Sequence, residues 1–177
     1  MAIGPHTPNP AVPALDAGAR AAEGTISDAE LASALVLVVD DNEQNLELLV
    51  AYLEDLPCRV VSAHDGLEAL EFVKTQRPNL ILLDVMMPRM SGFQVCSRLK
   101  KDPVTRDIPI VMVTALNEVG DVERAVDSGA DDFLTKPVNR LELLTRAKSL
   151  IRLSLLQKQL NKTLAELRAM TGMPGPR

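Results

Sequence analysis

The sequence predicts an α/β domain built on an open, doubly wound, five-stranded parallel sheet, followed by an extended C-terminal helix. Short apolar segments alternate with amphipathic segments five times between Leu35 and residue 150. The apolar segments lack the alternation of half-exposed strands, which is typical of parallel strands buried on both faces. The connections are short, and right-handed crossovers between parallel strands place helices on both faces of such a sheet.

Residues 1–33 are predicted to form a disordered N-terminal arm. This segment is rich in Pro, Ala and Gly, with four prolines by Pro13, and it carries too little apolar surface to offset its ordering entropy. At its end a short helix is predicted over Ser27–Ala34, because Ser27 and Glu30 match a capping box.

Residues 34–150 are predicted to form the folded domain, which begins with a buried strand. Leu35–Val39 is a continuous apolar run. Asn45–Leu56 places apolar residues at helical spacing, and Pro57 follows directly. Arg59–Ala63 is the second predicted strand.

The second predicted helix opens at Asp65, a residue type that favours helix N-termini. Its apolar residues are expected to face the core. We expect Leu67, Leu70 and either Phe72 or Val73 to be buried.

The second half of the domain repeats the alternation of strands and helices. Its predicted elements are a strand over Leu80–Leu83, a loop over Val85–Ser91, a helix from Gly92 to about Lys101, a strand over Pro109–Val113, a helix from about Val119 to Ser128 and a strand over Asp132–Thr135. Gly129 is expected to end the helix before it in a left-handed conformation.

A last helix is predicted from Asn139 to about Ala169, so that residues 151–177 form a helical extension with a short tail. The extension carries large apolar residues at three- and four-residue spacing: Leu153, Leu156, Leu160, Leu164, Leu167 and Met170. This stripe is too short for a secure coiled coil. It could form a homodimer, dock a partner protein or remain a solvated extension.

Polar residues stand where the predicted strands end. Asp40 and Asp41 follow the first strand, Asp84 the third, Thr114 the fourth and Lys136 the fifth. Because the carboxyl ends of parallel strands share one edge of the sheet, these side chains are expected to converge there.

Three neighbouring carboxylates repel one another unless positive charge lies among them. Lys136 supplies one charge, and a hard divalent cation with oxygen ligands, Mg²⁺, is expected to supply the rest. Such a site suits phosphoryl transfer, in which Asp84 attacks, Lys136 holds phosphoryl oxygens and Thr114 donates a hydrogen bond. The product would be an aspartyl phosphate.

These residues resemble one family over about residues 35–150. Asp40-Asp41 after an apolar strand, Asp84-Val-Met-Met-Pro88 with Gly92, Thr114-Ala115 and Lys136-Pro137 are similar to the receiver domain of two-component response regulators. The resemblance implies a flavodoxin-like strand order 2-1-3-4-5. It also implies a phosphohistidine donor on a histidine kinase or a histidine phosphotransfer protein.

The resemblance further implies a metal site. Asp84 would be the phosphoacceptor, and Asp41, Asp84 and the backbone carbonyl of Met86 would bind Mg²⁺ directly. Asp40 would act on the ion mainly through water.

The resemblance also implies a switch. Thr114 and Lys136 would contact the phosphoryl group, and Thr114 moving toward it would open the space that the ring of Phe133 fills. The Lys136–Pro137 bond is expected to be cis. Met86 and Leu116 stand at two positions that often carry polar groups assisting hydrolysis, so slow self-dephosphorylation is expected.

Other function classes fit the sequence less well. A net charge of −5 argues against non-specific nucleic-acid binding, and no helix-turn-helix follows the domain. A phosphatase of the haloacid-dehalogenase type needs a second Asp two residues after its nucleophile, where Asn42 and Met86 stand here. We therefore expect a stand-alone phosphoacceptor switch that acts on a downstream effector protein, not an enzyme with turnover.

The expected location is the cytoplasm. The first residues do not resemble a secretion signal, and no run approaches the roughly 18 apolar residues of a membrane helix. Cys58 and Cys96 are expected to be free thiols in a reducing compartment.

Overall fold

The computed structural model describes residues 27–115 and 127–171. Most of the predicted N-terminal arm, Leu116, most of the helix predicted from Val119 and the tail from residue 172 lie outside these residues. Gly129 does have the predicted left-handed conformation, with φ of +82°.

The described elements follow the predicted order. They are α1 Asp28–Leu31, β1 Leu35–Val39, α2 Glu43–Leu53, β2 Arg59–Ala63, α3 Gly66–Thr75, β3 Leu80–Asp84, α4 Gly92–Lys101, β4 Ile110–Thr114, β5 Asp132–Thr135 and α5 Arg140–Thr171. The five strands form one parallel sheet in the order β2-β1-β3-β4-β5. The predicted doubly wound sheet and its flavodoxin-like order are confirmed.

The sheet has a buried core on each face, because successive side chains of a strand point to opposite sides. On β1, Val36 and Val38 pack with α2 and α5, whereas Leu37 and Val39 pack with α3 and α4. Full burial of each such side chain contributes about 1.5–3 kcal/mol. Both faces of the central strands are therefore packed, which fixes the positions of the residues at their carboxyl ends.

Helix α2 begins two residues earlier than predicted and ends earlier too, at Leu53. Asn42 is its N-cap, and the Asn42 side chain accepts a hydrogen bond from the backbone N–H of Asn45 at 3.1 Å. Since Asn42 satisfies the helix end, Asp40 and Asp41 remain available for other contacts.

The predicted burial of Leu67 on α3 is wrong, since Leu67 is 46% exposed. The residues that face the core are Gly66, Ala69 and Val73. A Cβ on Gly66 would lie 2.6 Å from a methyl carbon of Val95, so α3 meets α4 through small residues. Asp65 caps the helix as predicted, accepting hydrogen bonds from two backbone N–H groups.

The packed structure begins before the predicted boundary at residue 34. Ser27 and Glu30 form the predicted capping box, with the Ser27 N–H donating to Glu30 Oε2 at 2.8 Å and the Glu30 N–H to Ser27 Oγ at 3.3 Å. Leu31 is buried in the core. The four-residue helix α1 is thus part of the domain's packing.

Helix α5 is a single helix of 32 residues that crosses the predicted boundary at 150 without a break. Ile151 is buried, and Ser154 accepts a hydrogen bond from the buried side chain of Asn79. Gln159 donates to Glu30 at 2.7 Å. The packed part of the helix therefore reaches about residue 159, and the side chains described after it are exposed.

Two further observations concern the described residues only. Cys58 and Cys96 are free thiols, as predicted, and burial raises the pKa of both. Every helix there is too short or too polar to cross a lipid bilayer.

Candidate functional site

Three carboxylates meet at the carboxyl edge of the sheet. One oxygen from each of Asp40, Asp41 and Asp84 lies within 4.8 Å of the other two. The strands β1 and β3 are neighbours in register, with Val39 opposite Leu83, so the residues that follow them are held side by side. Asp40 is 1% and Asp84 3% exposed, whereas Asp41 faces solvent.

Lys136 joins two of these carboxylates. Its Nζ donates to Asp84 Oδ1 at 2.6 Å and to Asp40 Oδ2 at 2.9 Å. The lysine follows β5, and its backbone N–H donates to the Thr114 carbonyl at the end of β4 at 2.7 Å. The Lys136–Pro137 bond is cis, as the resemblance implied.

The electrostatics of the site favour added positive charge. Burial raises the pKa of Asp84, the hydrogen bond from Lys136 lowers it and the charge of Asp40 raises it again, with a net upward shift. Burial lowers the pKa of Lys136, but its hydrogen bonds to Asp84 and Asp40 outweigh this effect and leave the pKa raised. Among the described residues, one ammonium thus contacts two of the three clustered carboxylates.

The donor set fits a hard divalent cation. All the candidate side-chain ligands are carboxylate oxygens, and the side of the cluster at Asp41 is open to water. Mg²⁺ binds one or two carboxylates and keeps several waters, so these residues suit it.

The loop after β3 brings backbone groups to the site. The Met86 backbone N–H faces the Asp84 carboxylate and makes a small contribution that lowers its pKa, while the Met86 side chain is 75% exposed. The loop is closed by a hydrogen bond of 3.0 Å from the Gly92 N–H to the Val85 carbonyl. Arg89 has a positive φ of 67° and forms an ion pair with Asp65, which ties the loop to the start of α3.

Thr114 and Phe133 lie on the neighbouring strands β4 and β5. Thr114 is buried at the end of β4, opposite Thr135, and Phe133 lies opposite Met112. The ring of Phe133 is 38% exposed. The structure thus brings Asp40, Asp41, Asp84 and Lys136 into one cluster, with Thr114 at the same edge and Phe133 farther back on the sheet.

Asn45 belongs to the site although the sequence analysis did not single it out. Its side-chain amide donates to Asp40 Oδ1 at 3.0 Å and to Asp40 Oδ2 at 3.1 Å. The signal was an amide in the first turn of the helix that follows Asp40-Asp41. Because the sequence predicts the helix start at Asn45 itself, this position does not stand out as part of the first turn.

The fold and the site together define a class of protein. The parallel sheet has the strand order 2-1-3-4-5, and its polar cluster lies at the carboxyl edge, where the strand order reverses between β1 and β3. This arrangement is that of a flavodoxin-like α/β domain. The family model described as "Response regulator receiver domain" matches residues 36–148. The chain belongs to the response regulator receiver domain family of two-component systems.

Similar proteins include full-length regulators. Response regulator PleD of Caulobacter vibrioides is 47% identical over 143 residues, which are 81% of this chain and 32% of the relative. The DNA-binding dual master transcriptional regulator RpaA of Synechocystis is 41% identical over 117 residues, 66% of this chain and 48% of the relative. The chain thus spans a third to a half of the length of these two relatives.

Solved structures of single receivers are similar over most of their length. The receiver domain of a signal transduction histidine kinase from Syntrophus aciditrophicus is 37% identical, with a TM-score of 0.64 over 67% of this chain and 90% of that chain. Chemotaxis response regulator CheY4 of Vibrio cholerae is 31% identical, with a TM-score of 0.62 over 66% of this chain and 98% of that chain.

Proposed function

We propose that this chain acts as a response regulator receiver in a two-component phosphorelay, in which Asp84 accepts a phosphoryl group from a phosphohistidine. The observation that carries the proposal is the contact of Lys136 Nζ with both Asp84 and Asp40 inside a cluster of carboxylates. A buried carboxylate beside a fixed ammonium and an oxygen-only cation site has the parts that phosphoryl transfer requires.

The chain's own residues supply positioning and charge. An Asp84 oxygen forms the new bond to phosphorus, and the bond from phosphorus to the donor imidazole nitrogen breaks, with the electron pair leaving on that nitrogen. Lys136 then holds a phosphoryl oxygen, and the Thr114 hydroxyl donates to another. A Mg²⁺ ion held by Asp41, Asp84 and the Met86 carbonyl, with Asp40 acting through water, would neutralise charge on the transferring group.

The proposed output is a change in protein contacts, with no turnover of an external substrate. Thr114 drawn toward the phosphoryl group would vacate space on the sheet, and the half-exposed ring of Phe133 would fill it. The proposed partners are a histidine kinase or histidine phosphotransfer protein and a downstream effector protein. The cytoplasmic location expected from the sequence stays a prediction.

The exposed stripe on α5 supports one more proposed contact. Leu153, Leu156, Leu160 and Leu164 are all exposed at helical spacing on a helix whose first half is packed. We propose homodimerisation through this stripe, since an exposed apolar face of this kind is typical of an interaction surface.

The proposed function is tested by incubating the chain with acetyl phosphate, with and without Mg²⁺. We expect one phosphoryl group per chain by intact-protein mass spectrometry, and none when EDTA removes the metal. Light scattering on the same samples measures the molecular mass in solution. A change in that mass on phosphorylation would assign the exposed stripe on α5 to dimerisation. Continuous release of phosphate without stoichiometric labelling would contradict the switch and support a phosphatase.

The exposed Met86 side chain leads to a prediction on phosphoryl lifetime. A thioether cannot orient an attacking water as an amide can. Met86→Asn combined with Leu116→Glu is therefore expected to shorten the half-life of the phosphorylated chain, measured by loss of the added mass after acetyl phosphate is removed. Leu116 lies outside the described residues, so the single Met86→Asn variant is the matched comparison. An unchanged half-life in the double variant would contradict the predicted slow hydrolysis.

A further inference from the structure

The Asp40 carboxylate accepts hydrogen bonds from three donor groups of the protein. The Asn42 N–H donates to Oδ1 at 2.9 Å, and Lys136 Nζ donates to Oδ2 at 2.9 Å. The Asn45 amide contacts both oxygens, at 3.0 and 3.1 Å. An ionised carboxylate has about four lone-pair sites and only accepts. The amide must therefore present its nitrogen to Asp40. One N–H of that amide is shared between the two oxygens, so three donor groups, from Asn42, Asn45 and Lys136, hold the carboxylate.

Asp41, the next residue, differs in this respect. It is exposed, and no group within residues 27–115 and 127–171 donates a hydrogen bond to its carboxylate. Of two adjacent carboxylates at the same edge, one is thus held by three protein donors, and the other keeps its lone pairs for a ligand. The three donors differ in how they can be tested. Asn42 donates through its backbone N–H, and Lys136 also contacts Asp84. The Asn45 side chain contacts Asp40 and no other carboxylate of the cluster.

We infer that Asn45 is a positioning residue that holds the Asp40 carboxylate away from direct coordination and so sets which divalent cation the site prefers. This inference rests on the proposed function, because it assumes that a divalent cation binds beside Asp84. With Asp40 held by the amide, the cation takes Asp41 and Asp84 as carboxylate ligands and completes its shell with water. That small, well-hydrated ligand set suits Mg²⁺.

Loss of the amide changes the ligand set in a definite direction. The freed Asp40 oxygens can turn toward the ion and add one or two ligands. Ca²⁺ takes six to eight oxygens in flexible geometry, whereas Mg²⁺ demands near-ideal octahedral geometry. Extra carboxylate oxygens therefore favour Ca²⁺, while Mg²⁺ loses the orientation that the hydrogen-bonded carboxylate provided.

The test is a calorimetric titration of wild type, Asn45→Ala and Asn45→Asp with MgCl₂ and with CaCl₂. Both variants suit the first turn of a helix, since Ala has the highest helix propensity and Asp complements the helix dipole. We expect the Kd for Mg²⁺ to rise about tenfold in Asn45→Ala, the lower end for loss of a group that orients a metal ligand. In Asn45→Asp the added carboxylate attracts both cations, so the expected effect in that variant is the change in the ratio of the two Kd values. The Kd for Ca²⁺ should stay level or fall, so the preference for Mg²⁺ over Ca²⁺ drops about tenfold.

Asn42→Ser is the matched control. Asn42 reaches Asp40 through its backbone N–H, and its side chain only caps α2, so a serine cap should leave the ratio of the two Kd values unchanged. An unchanged ratio in either Asn45 variant would overturn the inference while leaving the proposed function intact. A wild-type chain that binds neither cation would overturn the proposed function and the inference with it.

Discussion

Asp84→Asn is expected to abolish labelling by acetyl phosphate at every Mg²⁺ concentration. The amide has no anionic oxygen to attack phosphorus, and neither of the other carboxylates occupies its place at the end of β3. Lys136 would still contact Asp40, so the rest of the site would stay assembled. Labelling is measured by intact-protein mass spectrometry over a range of Mg²⁺ concentrations.

The loss should be specific to the site. Asp107→Asn, at an exposed position away from the cluster, should label as wild type does. The unfolding midpoint of Asp84→Asn should equal or exceed that of wild type, because a neutral amide relieves repulsion among the three carboxylates. Stoichiometric labelling of a folded Asp84→Asn chain would show that the phosphoryl group is accepted elsewhere.

Gly92→Ala is expected to have the largest effect on stability. A Cβ at this position would lie 2.2 Å from the Asp84 carbonyl oxygen and 3.0 Å from the Val85 Cα. Both are backbone atoms that cannot rotate away, so β3 or α4 must shift. We expect the free energy of unfolding to fall by about 3 kcal/mol, at the upper end for overpacking. The fall is measured as a lower urea midpoint at unchanged m-value.

The position of the clash also predicts a functional effect. Because the displaced backbone belongs to Asp84, the rate of labelling by acetyl phosphate should fall together with stability. Gly66→Ala is the matched control, since its Cβ would meet a side-chain methyl of Val95 at 2.6 Å, away from the phosphoacceptor. We expect Gly66→Ala to shift the packing against Val95 but to label at close to the wild-type rate. Equal losses in stability and labelling for both variants would contradict the assignment of Gly92.

The sheet was predictable because buried parallel strands are encoded locally. Both β1 and β3 are buried along their whole length, and β1 is apolar throughout, whereas β3 is apolar up to Asp84. No knowledge of their partners is therefore needed to recognise them. Convergence of Asp40, Asp84 and Lys136 then follows from the geometry of parallel strands.

The parts that could not be predicted depend on contacts distant in sequence. Leu67 was expected inside because it is large and apolar, but the close approach of α3 to Val95 selects Gly66 and Ala69 for the interface. The Asn79–Ser154 hydrogen bond joins residues 75 positions apart. The role of Asn45 depends on where α2 begins, a boundary that the Asn42 cap sets.

Helix α5 also has a mechanical consequence. It is continuous from Arg140 to Thr171, which corresponds to a rod about 48 Å long at 1.5 Å per residue. Its base follows Lys136, and its side chains described beyond residue 159 are exposed. Under the proposed function the helix would act as a lever arm, because a continuous helix would carry any adjustment of its packed part to the exposed turns where the proposed dimer contact lies.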